Sequence, residues 1–395
     1  MPGAPGPVAA PAPGEPDIRV GLAVGASTGT LGGGSGLIVT DPGGAYLARI
    51  AAGEVWRLAI TGTGLAVVSP AGGRSTPTTQ LGVISTDSGA PILFNGRSYR
   101  GVMTVLRDRT GMTVVNRLPL EAYLLGVVSA EMGRRSPADF EALRAQAVVS
   151  RTYALRNLHR WDADGFDLYS SVADQVYGGL GSETPEGLEA VTATGGEVLT
   201  WNGAPIDAFF YSTCGGRTAN GTEVFRGADR PYLRSIADVA EDGTAYCSIS
   251  PRFRWREEWS GEMLRATLHR TLPEVEGTSP GAVRTVRDVR ITGITGSGRV
   301  GQLTITLDRS SVDVDGPLVR QVLRSPAGDP LRSSTFTLTA AGAGHRITRL
   351  VAEGAGAGHG VGFCQWGAVG RSRAGQDYRR ILAAYYPGTV LDRRY

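Results

Sequence analysis

The sequence contains no lysine, and all 40 of its basic residues are arginine. This excludes a phosphate-binding loop of the P-loop class, which needs a lysine for the phosphates. No run of about 18 apolar residues is present, so the sequence predicts no membrane span. The N-terminus shows no charged segment followed by an apolar one, so no signal peptide is visible. The net charge of +3, without a basic stripe interleaved with aromatic residues, argues against nucleic-acid binding.

Cysteine is scarce as well, with three residues in the whole chain. None of them forms a CxxC pair, which argues against a zinc ribbon. Cys214 and Cys247 flank a turn-rich stretch and are candidates for a disulfide, which by loop-closure entropy would contribute about 3–4 kcal/mol. Three buried thiols, with Cys364 as the third, are the alternative that the sequence leaves open.

Glycine, by contrast, is abundant, with 57 residues, and helix-length periodic runs are few. This combination favours many strands and tight turns. A hydrophobic share of 41% indicates a globular chain. We therefore predict an α/β fold of the mixed α+β type, with a β-rich N-terminal region over residues 18–115. The Pro/Ala-rich residues 1–17 are predicted to be a disordered tail.

Residues 118–132 carry the most informative local pattern. Leu120, Leu124 and Val128 recur at a spacing of four, which predicts a helix with one buried stripe. Glu131 lies on the same stripe. Apolar neighbours disfavour the carboxylate anion, so we expect its pKa to be raised, and a carboxylic acid near neutral pH can protonate a leaving group. Glu131 is therefore a candidate general acid. A structural pair with an arginine is the alternative.

A second helix is predicted directly afterwards. Ser136 fits its N-cap and Pro137 its first position, and the apolar pattern continues to about Leu158. Arg151 lies among small apolar residues and needs an anionic partner. Either it pairs with a buried carboxylate such as Glu131, or it binds substrate.

The C-terminal half has less regular patterns. Residues 261–345 are predicted to form a smaller α+β unit, and residues 346–395 a strand, a glycine-rich loop and a helix near residues 378–386. His359 lies in that loop, where we expect it beside a cleft unless it is a structural histidine. Its spacing to Cys364 also permits a thiol nucleophile with an imidazole base.

Several short stretches together, and in the same order, resemble the stage II sporulation protein D / LytB family of cell-wall proteins. The resemblance covers most of residues 95–390. The stretches are Tyr99-Arg100-Gly101, LPLEAYLLGVVSAEM (118–132), EALRAQAVVSRTYALR (141–156), ADQVYGG (173–179), FFYSTCGGRT (209–218), PYLRS (231–235), GSGRVGQLTI (296–305) and GHGVGFCQWGA (358–368).

The resemblance implies a peptidoglycan lytic transglycosylase. Such enzymes cleave the β-1,4 bond between N-acetylmuramic acid and N-acetylglucosamine and leave a 1,6-anhydro sugar, and sporulation members prefer strands without stem peptides. The catalytic core would span residues 116–260 and be completed by residues 346–395. The family's catalytic glutamate falls on Glu131. The positions that match its substrate groove are Gln146, Arg151, Asp174, Gln175, Tyr177, Tyr211, Ser212, Thr213, His359, Gln365 and Trp366.

One acid is sufficient for this chemistry. Ordinary glycosidases use two carboxylates, but an anhydro-forming enzyme needs no water because the substrate's own C6 hydroxyl attacks. A single glutamate can therefore protonate the leaving oxygen and accept the hydroxyl proton, which fits a chain with one well-placed acid.

The resemblance also implies an extracytoplasmic location and no cofactor. Some members carry a structural zinc in a Cys/His cluster close in sequence. Only Cys214 lies in that region here, without a histidine, so we expect no metal there. Convergence of all three cysteines on a metal is the open alternative. The rival function is a glycan-binding modifier that enhances a cell-wall amidase, with Glu131 holding the glycan or the fold.

Overall fold

The computed structural model describes residues 11–279, 281, 283–343 and 345–395, and the fold is mixed α+β as predicted. The strands are β1 (Asp17–Ala26), β2 (Gly29–Gly33), β3 (Leu37–Thr40), β4 (Tyr46–Ile50), β5 (Val55–Thr61), β6 (Gly64–Val68), β7 (Gln80–Ser85), β8 (Ile92–Phe94), β9 (Arg97–Tyr99), β10 (Val102–Arg107), β11 (Met112–Pro119), β12 (Leu168–Tyr169), β13 (Glu197–Trp201), β14 (Ala204–Pro205), β15 (Phe210–Tyr211), β16 (Arg254–Ser260), β17 (Val286–Ile294), β18 (Val300–Leu307), β19 (Ser311–Asp315), β20 (Phe336–Ala343), β21 (Arg346–Ala355), β22 (Phe363–Cys364) and β23 (Val390–Arg393). The helices are α1 (Leu120–Met132), α2 (Phe140–Arg156), α3 (Pro185–Ala193), α4 (Gly261–Glu276), α5 (Gly316–Val322), α6 (Gln365–Arg373) and α7 (Tyr378–Tyr385).

The chain forms two compact units. The first runs to Asp207 and is joined by residues 390–395, and the second is Ala208–Thr389. The domain boundaries expected from the sequence stay predictions. None of the helices in the described part of the chain is long and apolar enough to cross a lipid bilayer.

The described part of the first unit contains two larger sheets, one small sheet and the helices α1, α2 and α3. A seven-stranded sheet has the order β12-β1-β11-β10-β7-β3-β4, and a five-stranded sheet has the order β6-β5-β2-β8-β9. The pairings within these sheets are antiparallel except that of β1 with β12. Helices α1, α2 and α3 contact one another, and α2 also contacts β13 of the small sheet β14-β13-β23.

Helix α1 is more deeply buried than its sequence pattern predicts. Its residues from 122 to 129 are all buried, not only those of one stripe. The backbone N–H of Glu121 donates to Glu15 Oε1 at 2.8 Å, and that of Leu120 donates to the Pro16 carbonyl at 3.0 Å. These residues of the predicted tail thus satisfy donors that the first turn leaves unpaired. Residues 1–10 of that tail lie outside the described residues.

Helix α2 begins at Phe140, three residues after the predicted start, because a 3₁₀ turn of residues 137–139 precedes it. Ser136 and Asp139 form a reciprocal capping box around a 3₁₀ turn with Pro137 at its start. This satisfies N–H groups that have no partner inside the helix. Helix α2 then ends at Arg156, two residues before the predicted end.

The second unit has a core of its own. The sheets β16-β21-β20 and β17-β18-β19 carry its longer strands, and β15 pairs with β22 in parallel. Trp259, Leu268, Leu303 and Leu350 belong to one buried apolar cluster from these sheets, α4 and α5. Helix α4 and the antiparallel pair β17–β18, both within residues 261–345, are part of it.

Candidate functional site

Glu131 lies in the last turn of α1 with its side chain half-buried. Its Oε1 accepts a hydrogen bond of 2.8 Å from the backbone N–H of Val176. This bond joins the end of α1 to the segment of residues 170–178, in which Val172 is 91% exposed. The carboxylate is therefore held where a buried helix meets a loop that faces solvent. Its raised pKa stays a prediction.

Three of the predicted glycan contacts, Asp174, Gln175 and Tyr177, belong to that segment. Their side chains lie inside the first unit and hold the segment in place. Asp174 accepts a hydrogen bond of 2.8 Å from the Tyr153 hydroxyl. Gln175 is fully buried and accepts one of 3.2 Å from the Tyr123 hydroxyl. Tyr177 is buried as well. In this structure these side chains fix the loop whose backbone holds the glutamate, so their geometry fits a positioning role.

Gln146 and Arg151 also lie inside the first unit, on α2, and both are fully buried. Gln146 Nε2 donates to the Ser150 hydroxyl at 2.9 Å. Arg151 donates to both carboxylate oxygens of Glu121, at 2.6 and 2.7 Å. Of the two alternatives for Arg151, the structure therefore shows the pair with a carboxylate, but the partner is Glu121 and not Glu131. Because its guanidinium has no exposed surface, the geometry of Arg151 fits a role in the fold, and its contact with substrate stays a prediction.

In the second unit, residues 211–213 lead from β15 into a glycine turn. The Thr213 N–H donates to the Ala357 carbonyl at 3.0 Å, and the Ala357 N–H donates back at 2.8 Å. This pairing places the stretch against the glycine-rich loop of residues 354–362. Tyr211 and Thr213 are buried, whereas Ser212 is half-buried.

His359 is a structural histidine in this loop. Its Nε2 lies 2.8 Å from the Phe210 carbonyl, which can only accept, and its Nδ1 accepts from the Val361 N–H at 3.1 Å. Burial, with some repulsion from Arg299, lowers the pKa of His359 to about 4. The ring is thus neutral with both nitrogens occupied. It has no nitrogen left to activate Cys364, so the thiol-nucleophile interpretation finds no support.

A pH dependence of stability follows for His359. The pKa of histidine in the unfolded chain is near 6.5. Between that pH and pH 4, the imidazole is therefore protonated in the unfolded state but remains neutral in the folded state. The contribution is complete above pH 6.5 and is lost, by at most about 3 kcal/mol, as the pH falls to 4. The free energy of unfolding, measured with urea at several pH values across this range, should change less steeply with pH in His359→Gln than in the wild type. His269→Gln, at an exposed position on α4, is the control, and equal slopes in all three proteins would contradict the prediction.

Gln365 and Trp366, the last two predicted glycan contacts, are the first two residues of helix α6. The Trp366 N–H donates to the Ser212 carbonyl at 3.0 Å, and the Trp366 side chain is half-buried. Gln365 is buried. Among the predicted contacts of the second unit, the half-buried side chains are therefore Ser212, His359 and Trp366.

The three cysteines, distant in sequence, converge in the second unit. All are free and buried, and the Sγ atoms of Cys214 and Cys247 are 3.4 Å apart. The predicted disulfide is therefore not formed, and the thiol alternative describes the structure. Buried Asp238, which the sequence analysis missed, completes the group, and all four donor atoms, including that of Cys364, lie within 4.8 Å of one another. No spacing rule links an aspartate in an irregular stretch to cysteines on other elements.

One other group of possible metal ligands occurs among the described residues. It consists of His159, Asp162 and Asp167, and the first two are exposed. Arg19 forms ion pairs with both of its carboxylates. The guanidinium thus offsets half of the charge that would attract a cation and occupies oxygens of both carboxylates, so this group resembles an ordinary surface network.

Comparison with known proteins adds relatives along most of the chain. Residues 108–201 match the family described as stage II sporulation protein, and residues 245–362 match a domain of unknown function. An uncharacterised protein of Brachyspira hyodysenteriae is 32% identical over 301 residues, 75% of this chain and 73% of that protein. Stage II sporulation protein D of Bacillus subtilis is 30% identical over 303 residues, 72% and 77% of the two chains. The amidase enhancer of Bacillus subtilis is 28% identical over 293 residues, 68% of this chain and 40% of that protein.

Proposed function

The chain belongs to the stage II sporulation protein D / LytB family, and we propose that it is a peptidoglycan lytic transglycosylase with Glu131 as its single general acid and base. Family membership supports a role at the cell wall. The observation that carries the finer proposal is the position of Glu131, anchored by the Val176 N–H at a solvent-facing loop. An extracytoplasmic site of action is part of the same proposal.

The proposed reaction needs two proton transfers through one carboxyl group. Protonated Glu131 gives its proton to the glycosidic oxygen as the bond from C1 of N-acetylmuramic acid breaks. The C6 hydroxyl of the same sugar then bonds to C1 and returns its proton to the carboxylate. The products are a 1,6-anhydro end and a free N-acetylglucosamine end, and no water is consumed. General acid catalysis supplies on the order of 10²–10⁴ in rate, and positioning of the strand supplies the rest.

The burial of the neighbouring side chains supports the same assignment. A proton donor must be held within about 3 Å of the oxygen that it protonates. Asp174 and Gln175 are themselves hydrogen-bonded inside the unit, so the backbone N–H beside them has little freedom to move. The rigid loop therefore limits the orientations of the Glu131 carboxylate, as a preorganised catalytic group requires.

Incubating the purified chain alone with purified peptidoglycan tests the proposal. Two substrates are used, intact peptidoglycan and peptidoglycan stripped of stem peptides by an amidase. We expect mass spectrometry to find 1,6-anhydro ends, with more on the stripped strands. Absence of anhydro ends on both substrates would refute a stand-alone transglycosylase.

The relative named amidase enhancer favours one second candidate, a modifier that binds glycan and assists a cell-wall amidase. In that case the chain alone would release nothing. It would instead increase the rate at which an added amidase frees stem peptides. Adding the amidase to the same incubation separates the two candidates, because only the modifier makes peptide release depend on the chain without producing anhydro ends.

We expect Trp366 to contribute to glycan binding by the second unit. Its side chain is half-buried, which leaves aromatic surface for a sugar ring. Truncation of an aromatic anchor usually costs more than 1 kcal/mol, so Trp366→Ala should weaken binding to purified glycan strands about tenfold in a sedimentation assay. Trp366→Phe should keep most of the affinity. Trp56→Ala, at another half-buried tryptophan, is the control, and an equal loss in that variant would contradict a specific role.

A further inference from the structure

We propose that Cys214, Asp238, Cys247 and Cys364 form a structural zinc site in the second unit, beyond the proposed reaction and its glutamate. The four donor atoms are buried and lie within 4.8 Å of one another. Zinc binds thiolate sulfur at about 2.3 Å in tetrahedral geometry, which separates two ligand sulfurs by about 3.8 Å. The observed separations, 3.4 Å between Cys214 Sγ and Cys247 Sγ and 3.2 Å between Cys214 Sγ and Asp238 Oδ2, are close to what such a polyhedron needs.

The sulfur atoms are surrounded by backbone donors. Cys364 Sγ accepts hydrogen bonds from the N–H groups of Cys214 at 3.1 Å and Gly367 at 3.2 Å. Cys214 Sγ accepts one from Gly216 at 3.3 Å. Buried thiols that act as small apolar groups do not need such donors. N–H groups directed at sulfur stabilise thiolates, which are the form that binds metal.

Two hydrogen bonds from neighbouring side chains hold the Asp238 carboxylate in place. Arg371 Nε donates to its Oδ1 at 2.9 Å, and the Tyr385 hydroxyl donates to its Oδ2 at 2.8 Å. Such partners fix a ligating carboxylate and are typical of metal sites. Gly367 allows this approach, because a Cβ there would overlap both the Asp238 carboxylate and the Tyr385 hydroxyl.

Ligand type and charge favour zinc. Three sulfurs and one carboxylate in a closed, buried set match a structural tetrahedral site and not the oxygen-rich sites of magnesium or calcium. Three thiolates and a carboxylate carry −4. Zinc reduces this to −2, and Arg371 reduces it to −1. The N-terminus of α6, which Cys364 caps, faces the remaining charge with its positive end.

The site would link stretches that have little regular structure of their own. Cys214 follows the two-residue strand β15, Cys247 lies in a 3₁₀ turn, and Asp238 lies between them outside any named strand or helix. A structural metal contributes its binding energy directly to folding. We therefore expect the metal-free second unit to unfold at lower temperature, with residues 208–250 losing hydrogen-exchange protection first.

The test uses the full chain, purified under reducing conditions without chelator. We expect about one zinc per chain by elemental analysis, and titration of the chelated protein with Co²⁺ should give the absorption bands of a tetrahedral thiolate site. Cys247→Ser and Asp238→Asn should each lower zinc content severalfold or more. Asp162→Asn, in the other group of potential ligands, is the control and should leave zinc content unchanged.

Three results would overturn the proposal. One is a wild-type chain that contains no zinc and gives no tetrahedral Co²⁺ bands while all three thiols are reduced. Another is a Cys214–Cys247 disulfide in the purified chain, found by mass spectrometry of unreduced peptides. The third is unchanged zinc content in both ligand variants. The wild-type Co²⁺ titration needs no variant, so a variant that fails to fold leaves the test intact.

Discussion

Glu131→Gln is expected to reduce the rate at which 1,6-anhydro ends form by about 10²–10⁴-fold. The fold and glycan binding should be retained. Glutamine has nearly the same size and keeps an oxygen that can accept the Val176 N–H bond. It cannot deliver a proton to the glycosidic oxygen or take one from the C6 hydroxyl. The loss should therefore appear in kcat, with KM little changed. The measurement is mass spectrometry of products from stripped glycan strands over time.

The control for this variant is Glu189→Gln, an exposed glutamate on α3 of the same unit. It makes the same exchange of a carboxyl group for an amide as Glu131→Gln does, and it should leave the rate within twofold. If Glu131→Gln kept wild-type rates while the control behaved as expected, the single-acid mechanism would be wrong. A loss of glycan binding together with activity would instead favour the modifier, in which Glu131 holds the strand.

Arg151→Met is expected to destabilise the first unit by about 3 kcal/mol or more. The fully buried guanidinium makes two hydrogen bonds to Glu121, and removing it leaves a largely buried carboxylate without its positively charged partner. Burial alone would raise the pKa of Glu121, but the hydrogen bonds and charge of Arg151 outweigh it and hold the pKa below its ordinary value. Urea unfolding, followed through hydrogen exchange of the α1 and α2 amides, reports the unit that contains the pair.

Two further variants show whether the pair is the cause. Arg144→Met, on the same helix, removes a partly exposed pair with Glu141 and should cost about 1 kcal/mol or less. The double variant Arg151→Met with Glu121→Gln should be destabilised by clearly less than the sum of its parts, because the second change removes the stranded charge. A raised KM with unchanged stability in Arg151→Met would mean that the arginine serves the substrate after all.

The pairing of Arg151 shows where sequence reasoning reaches its limit. Its position among small apolar residues predicts correctly that it needs an anion. Glu121 and Glu131 both lie on α1, ten residues and therefore about 15 Å apart along the helix axis. Which of them meets Arg151 depends on how α2 crosses α1, and neither sequence pattern contains that angle.

The cysteines make the same point over a longer distance. The parallel pairing of β15 with β22 brings Cys214 beside Cys364, although 150 residues separate them in the chain. Long-range pairing of this kind depends on the topology of the whole unit. The sequence could predict a buried strand that opens into a glycine turn, but not its partner strand, nor Asp238 beside it.

The sequence by itself determined the local elements and the family. Capping residues, apolar spacing and turn residues act over a few positions, so they predict α1, α2 and the mixed α+β class from neighbouring residues alone. The motif order likewise identifies the family and points to Glu131. Only the tertiary structure decided that Gln175 and Tyr177 are buried and that Arg151 pairs with Glu121. It also brought together the four donor atoms of Cys214, Asp238, Cys247 and Cys364. Burial and contact are set by packing between distant segments, and no local spacing encodes them.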